Sequence, residues 1–140
     1  MIGCVIMFWR KRRVIQKRAT TVTKHYVTHK EEARELVLAR LHHFNQHYNL
    51  TWNRVAIRNQ RRCWGSCSAK KNLNFNYKVI FLPHHLADYI IVHELCHLTH
   101  LHHGQEFWDL VEEQLPDYKE RLAELRAVDK AGHRALIAKA

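Results

Sequence analysis

The chain is poor in the residues that interrupt secondary structure or cross-link small domains. Its 140 residues include only four glycines, two prolines and four cysteines. So few glycines and prolines leave no obvious linker, and the sequence contains no repeat or low-complexity segment. The cysteines are too few for a disulfide scaffold and lack the paired CxxC spacing of a zinc ribbon, so we expect a reducing, cytoplasmic setting. A chain of this length can form one domain with a sizeable apolar core.

The opening of the chain lacks the features of a secretory signal and of a membrane span. The stretch MIGCVIMFW is apolar for nine residues and is followed by RKRR. A secretory signal has the opposite order, with its positive charge before the apolar run. Because about 20 apolar residues are needed to cross a bilayer, we expect no stable membrane insertion. We interpret the stretch as an edge strand or a loosely attached segment.

Acidic residues are scarce in the first part of the chain. Residues 1–87 contain 17 Lys and Arg against three Asp and Glu, a balance of +14, whereas residues 88–140 contain six against ten, a balance of −4. This asymmetry predicts an anionic partner for the first part, with nucleic acid as the first candidate. The alternative is that the charge only keeps the domain soluble. The candidate nucleic-acid contacts near the start are Arg10, Lys11, Arg12, Arg13, Lys17 and Arg18.

The spacing of apolar residues predicts a helix followed by strands. The sequence THKE, from Thr28 to Glu31, has the form of a capping box, and apolar positions recur behind it every three or four residues. From Trp52 onwards the period changes to two, which is typical of strands. The apolar strand positions are Val55, Ile57, Leu73, Phe75, Tyr77 and Val79. Gly65, in RCWGSC between the strands, indicates a bulge or a close approach of another group to the backbone.

The rest of the chain is predicted to be helical. Pro83 suits the first turn of a helix, and the stretch LADYIIVHELCHL behind it is apolar on nearly every face, so this helix should be buried. QEFWDLVEEQL forms a short amphipathic helix that Pro116 ends, and residues 117–138 form a charged terminal helix. Helix, strands and then helices make an α+β domain. We assign it to residues 29–140, after a basic segment of residues 1–28.

Five histidines lie within the twelve residues HELCHLTHLHHG, residues 93–104. His93 and His97 are four residues apart, so on a helix both imidazoles can reach one ion. Glu94 follows and can hold its carboxylate beside a water on the metal. In this HExxH arrangement two imidazoles bind Zn²⁺, the metal lowers the pKa of the water, and the carboxylate takes the proton. Two histidines on the buried face of an apolar helix also need partners to offset their desolvation, and a metal supplies them.

A third ligand must come from His100, His102 or His103. The Cα of His100 lies about 10 Å along a helix axis from that of His93, and three imidazoles on one straight helix cannot surround a tetrahedral ion. His103 precedes Gly104, a good residue for leaving a helix, and completes an H-x3-H-x5-H spacing. We choose His103 as the third ligand of one zinc ion per chain. We expect His100 and His102 to lie near the site or on the surface.

The residues around this cluster resemble a known family. RCWGSCSAKKNLNFNYKVIFLP, DYIIVHELCHLTHLHHGQEFW and PDY together resemble the YgjP-like metallopeptidases, which are related to the SprT-like and WLM zinc peptidases. The likeness covers about residues 30–126. It implies a zincin-like fold, with a small antiparallel sheet packed on a buried HExxH helix and flanking helices. It also implies zinc held by His93, His97 and His103, with Glu94 as catalytic base.

The sequence WGSC is a candidate substrate-binding strand. In zincins an edge strand beside the metal helix commonly pairs with the substrate backbone. Gly65 would permit close approach, although a tight turn packed by a tryptophan is the alternative. The candidate residues are Trp64, Gly65, Ser66 and Cys67.

Other residues near the motif have less specific roles. Cys67 is an alternative metal ligand, because peptide deformylases combine HExxH with an upstream cysteine. Cys63 and Cys96 are interpreted as buried thiols. The candidates for stabilising an oxyanion are Tyr118, Asn76 and His100.

The leading functional prediction is a zinc metallopeptidase of endopeptidase type acting on a peptide or protein. A metal-dependent endoribonuclease is the second hypothesis, because one such family shares the histidine spacing, but that family lacks the glutamate after the first histidine. The third is a zinc-stabilised nucleic-acid-binding module without catalysis, which would not require Glu94. Nothing in the sequence indicates an oligomeric state.

Overall fold

One sheet and a group of helices make up the described part of the molecule. The structure, a computed structural model, describes residues 24–132 and 136–137 and the backbone of residues 2–4. The strands are β1 (Ile2–Cys4), β2 (Arg54–Arg58), β3 (Gly65–Ser68) and β4 (Asn72–Asn76). The α-helices are α1 (Lys24–Tyr48), α2 (His84–His97), α3 (Gln105–Gln114) and α4 (Tyr118–Ala131), and a 3₁₀ helix spans Tyr77–Phe81. The predicted α+β fold is confirmed.

Helix α2 carries the HExxH motif through the centre of the core. Eleven of its fourteen residues are buried, which explains why its sequence is apolar on nearly every face. Helices α1, α3 and α4 and strand β3 all pack against it. A bidentate ion pair ties α1 to α2, since Arg40 Nε and Nη2 donate to the two Asp88 carboxylate oxygens at 2.7 and 2.9 Å.

The sheet has the order β1-β3-β4-β2 and is mixed rather than wholly antiparallel. β3 runs antiparallel to β1 and to β4, whereas β2 runs parallel to β4. The difference arises because β2 pairs with β4 and not with β3, its neighbour in sequence. Ile57 and Phe75 are register partners on the face that enters the core, and both are buried.

Two local predictions, at the end of β4 and at the start of α1, differ from the structure. The strand expected to continue to Val79 ends at Asn76, whose side chain accepts a hydrogen bond from Lys78 N and caps the 3₁₀ helix. Tyr77 and Val79 are nevertheless buried, because that helix also turns both side chains into the core. The capping box was wrong, since α1 already begins at Lys24 and Thr28 Oγ1 donates to the Lys24 carbonyl inside the helix.

Helix α1 is the longest helix of the described residues, with 25 residues. Its exposed charges make it too polar to cross a bilayer. In the part of the chain that the structure describes, no helix is both long and apolar enough to do so.

Candidate metal centre

Three imidazole rings converge at the end of helix α2. The Nε2 atoms of His93 and His97 are 3.0 Å apart, and each is 3.1 Å from Nε2 of His103. These rings form the one group among the described residues with the ligand number and spacing for a metal ion. The structure therefore brings together the three histidines that the sequence selected.

The spacing of these nitrogen atoms fits a tetrahedral ion. Zinc–nitrogen bonds of 2.0–2.1 Å in tetrahedral geometry place two ligand atoms about 3.3–3.4 Å apart. The triangle in the structure is smaller by about 0.3 Å, a difference that small ring rotations can absorb. Three histidines and one further position make up the donor set of a catalytic zinc site.

Hydrogen bonds on the opposite ring nitrogens orient two of the three imidazole rings. Nδ1 of His97 lies 2.9 Å from the main-chain carbonyl oxygen of His100. A carbonyl can only accept, so Nδ1 carries the proton and Nε2 presents its lone pair to the centre. Nδ1 of His93 lies 3.2 Å from the hydroxyl of Tyr89, a residue that the sequence analysis did not select. Its position four residues before His93, on the same helical face, is the signal that could have found it.

The three imidazole rings are held neutral. Burial, followed by the neighbouring His97 and His103 rings, holds the pKa of His93 well below its usual range. Burial also lowers the pKa of His97 to about 4 and lowers the pKa of His103. A neutral imidazole has a free lone pair, which is the form that binds a metal.

His103 reaches the centre because the chain reverses after α2. The helix ends at His97, and α3 begins directly after Gly104, whose backbone is extended with φ of −76°. His100 contributes its carbonyl to His97, while its ring faces Glu106 Oε2 at 3.7 Å. Neither His100 nor the exposed His102 belongs to the metal-binding group.

Aromatic rings from α3 and α4 form a wall beside the ligands. Phe107 is fully buried and stacks on His97, with ring centroids 4.5 Å apart. Trp108 stacks on His103 at 5.8 Å and on Tyr118 at 5.1 Å. This wall was not identified from the sequence, where QEFWDLV indicated only an amphipathic helix.

The side chain of Glu94 extends from helix α2 towards strand β3. Its side chain is fully buried, and a Cβ atom added to Gly65 would lie 3.0 Å from its Cγ and 3.1 Å from its Oε1. Glycine at position 65 therefore allows the carboxylate to lie directly against the strand. The close approach expected at Gly65 is present, and Glu94 is the group that approaches.

The remaining WGSC side chains are packed into the protein. Trp64 is fully buried, and its Nε1 donates to Asp129 Oδ1 of α4 at 2.7 Å. Ser66 is also buried, and its Oγ accepts from Asn74 Nδ2 at 3.2 Å. Cys67 lies outside the metal-binding group, and burial, with the nearby Glu94 charge, raises the pKa of its thiol to about 12.

The other cysteines and the oxyanion candidates have distinct environments. Cys96 is a buried free thiol, as expected. Cys63 is only half-buried and is disulfide-bonded, so the prediction of a buried thiol at Cys63 was wrong.

The amide nitrogen of Asn76 donates to the carbonyls of Gln60 and Cys63, so this side chain holds a loop in place and is not directed at the three histidines. Tyr118 is half-buried in the aromatic wall.

The six candidate nucleic-acid contacts near the start of the chain lie outside the described residues. They are Arg10, Lys11, Arg12, Arg13, Lys17 and Arg18.

Comparison with known proteins identifies the family. Residues 8–128 match the family described as YgjP-like, metallopeptidase domain. A similar solved structure is the crystal structure of the metallopeptidase zymogen of Pyrococcus abyssi abylysin, with a TM-score of 0.53 and 26% sequence identity, covering 63% of this chain and 86% of that chain. The comparison with curated proteins finds no match. The chain belongs to the YgjP-like family of metal-dependent peptidases.

Proposed function

We propose that this metallopeptidase is a zinc-dependent endopeptidase in which Glu94 is the general base. The observation that carries the proposal is the convergence of three neutral imidazoles, with the buried Glu94 directly after His93 in the same helix. His93, His97 and His103 would hold the ion. Zinc bound there supplies a Lewis acid that polarises a peptide carbonyl and lowers the pKa of a water molecule.

Glu94 is the residue that we propose to carry the proton. It directly follows His93 in α2 and is not one of the three converging residues, so its buried side chain would be free for a role other than binding the ion. As a carboxylate it accepts the proton of the attacking water and can pass it to the leaving amine. Burial beside β3 keeps bulk water away from this transfer.

Strand β3 is the proposed substrate-binding strand. It lies against Glu94 at Gly65, but it is not an edge strand, because β1 and β4 pair with its two edges. An extended peptide could pair with its backbone where Ile2–Cys4 is not hydrogen-bonded to it. The buried Trp64, Ser66 and Cys67 would then act by holding the strand in position rather than by touching the substrate side chains.

The basic first part is proposed as a separate contact for nucleic acid. No acidic residue occurs between positions 52 and 82. The exposed cations of this stretch are Arg54, Arg58, Arg61, Arg62, Lys70 and Lys71. They extend the run of positive charge that begins at Arg10 and favour a polyanion over a neutral partner.

Glu94→Gln tests the catalytic proposal. The exchange is nearly isosteric, so the variant should fold and bind zinc, but its amide cannot accept a proton. We expect a loss of about 10²–10⁴-fold in the cleavage of fluorescein-labelled casein, with zinc content unchanged by atomic absorption. Glu106→Gln is the matched control, because Glu106 is exposed in the first turn of α3.

Equal cleavage by wild type and Glu94→Gln would show that the proposed mechanism is wrong. Cleavage of RNA without cleavage of casein would favour the endoribonuclease. Binding of zinc with cleavage of neither would favour the non-catalytic module.

A further inference from the structure

Tyr89 is a buried polar side chain one helical turn before the first ligand. It is fully buried, and its hydroxyl oxygen lies 3.2 Å from Nδ1 of His93. The two rings meet edge to face, at an interplanar angle of 63°. We infer that Tyr89 is a positioning residue that fixes the orientation and the tautomer of His93 for metal binding.

The chemistry of the imidazole ring supports this role. Nε2 of His93 faces the other two ligand rings at 3.0 and 3.1 Å, so it must keep its lone pair to bind an ion. The proton of the neutral ring is then on Nδ1, which donates a hydrogen bond to the Tyr89 hydroxyl oxygen. For His97 the equivalent acceptor is a main-chain carbonyl. For His93 it is a side chain, so a single substitution can remove it.

Tyr89→Phe removes this acceptor and keeps the ring that fills the core. Loss of such a partner typically weakens metal affinity by about 10–100-fold. We expect this change in the zinc Kd, measured by competition with a chromophoric chelator, and an altered visible spectrum of the Co²⁺-substituted protein. Tyr77→Phe is the matched control, because it removes another hydroxyl that lies 3.0 Å from a histidine, His25 Nδ1, outside the metal centre.

The inference is overturned if Tyr89→Phe binds zinc as tightly as Tyr77→Phe and has the wild-type Co²⁺ spectrum. Thermal unfolding of both metal-free variants separates a change at the ligand from a general loss of stability. The inference uses only the metal centre of the proposed function. Metal affinity is measured without substrate, so failure to cleave casein would reject the endopeptidase proposal and leave this one standing.

A second inference concerns the outer edge of β3. β4 pairs with one edge of β3, and β1 pairs with the other in the register Ile2↔Ser68, Gly3↔Cys67 and Cys4↔Ser66. A strand edge presents one row of N–H and C=O groups, so it can pair with one strand at a time. We propose that Ile2–Cys4 competes with the substrate backbone for β3, and that the chain thereby restrains its own site.

This inference rests on β3 being the substrate-binding strand of the proposed function. Competition reduces the apparent affinity for substrate, which can bind only in the fraction of molecules whose Ile2–Cys4 backbone is not hydrogen-bonded to β3. It does not alter the ligands or Glu94. The expected signature is therefore a raised KM with an unaffected kcat.

Proline at both Ile2 and Gly3 should release the edge. The N–H groups of successive strand residues point to opposite sides, so one of the two faces β3, and proline lacks that donor. Ile2→Pro/Gly3→Pro should lower the KM for fluorescein-labelled casein and leave kcat unchanged. Ile2→Val/Gly3→Ala is the control, since it keeps both N–H groups.

The proline variant and its control can also be made with Glu94→Gln, and their binding of labelled casein gives a measurement independent of cleavage. Equal casein affinity of the proline and control variants would refute the competition. Tighter binding by the proline variant, without cleavage by the Glu94-containing proteins, would reject the endopeptidase proposal and support the competition.

Discussion

Replacing Gly65 with alanine tests the close packing between β3 and the HExxH helix. The added Cβ would lie 3.0 Å from Glu94 Cγ and 3.1 Å from both Glu94 Oε1 and the Asn74 carbonyl oxygen. Carbon contacts are optimal at about 3.5–4.0 Å, so these neighbours must retreat by about 0.5 Å or more. Asn74 is held in β4 by its pairing with Ser66. The Glu94 carboxylate is therefore the group that moves more easily.

The substitution should affect stability and catalysis by different amounts. Overpacking of a core costs about 1–3 kcal/mol, which lowers the Tm of a chain of this length by roughly 3–10 °C. A catalytic group displaced by about 1 Å can lose about 100-fold in rate. We expect Gly65→Ala to lose about 10–100-fold in kcat/KM, while its zinc content is unchanged because the ligand rings are not pushed.

Casein cleavage, zinc content and thermal unfolding together measure the effect. Gly104→Ala is the matched control, because a Cβ at Gly104 meets no atom within 4 Å and its φ of −76° suits any residue. If Gly65→Ala is as active and as stable as Gly104→Ala, the carboxylate does not depend on this contact. A parallel loss of zinc would show that the clash is transmitted to the ligands instead.

Three further predictions concern the metal, pH and charge. His103→Ala should lose zinc while His102→Ala keeps it, and full zinc occupancy of His103→Ala would show that the third ligand is another residue. In the metal-free protein, His97 has a pKa of about 4 when folded and 6.5 as its ordinary value, and the pKa of His93 is also lowered. Below about pH 6.5 the unfolded chain therefore binds protons that the folded chain does not. The free energy of unfolding should then fall as the pH is lowered towards 4. For each histidine this fall is up to about 1.4 kcal/mol per pH unit. Thermal unfolding between pH 7 and 5 measures this fall, which a His97→Gln variant should reduce. Binding to DNA should weaken steeply as the salt concentration rises, and deletion of residues 1–20 should reduce this salt dependence. If DNA binding is absent or independent of salt, the positive charge has a role in solubility alone.

The convergence of His93, His97 and His103 could be predicted from the sequence because its geometry is mostly local. His93 and His97 share a helical face by spacing alone, and the exclusion of a third ligand from the same straight helix directed attention to His103 beside Gly104. Tyr89 obeys the same spacing rule. It was missed because a tyrosine in an apolar stretch is first interpreted as part of the core.

Features that depend on distant parts of the chain were not accessible in the same way. Alternating residues around Val55 identified a strand, but alternation does not say which strand it pairs with or in which direction, and the parallel pairing of β2 with β4 was missed. The alternation through Val79 was misleading, because Asn76 caps a 3₁₀ helix whose side chains are also buried. The contact of Trp64 with Asp129 joins residues 65 positions apart.

Because α2 is buried, the three converging histidines differ in how easily they can become exposed to solvent. His93 and His97 are fully buried in a helix covered on nearly every side, so exposing them requires an opening that approaches global unfolding, and its amides should be among the slowest to exchange with deuterium. His103 is exposed on the segment between two helices, where its ring also stacks on Trp108, so we expect it to move more easily than the two buried rings. Metal exchange should therefore proceed in a fixed order. We expect a metal ion to enter and leave on the His103 side, while His93 and His97 stay in place.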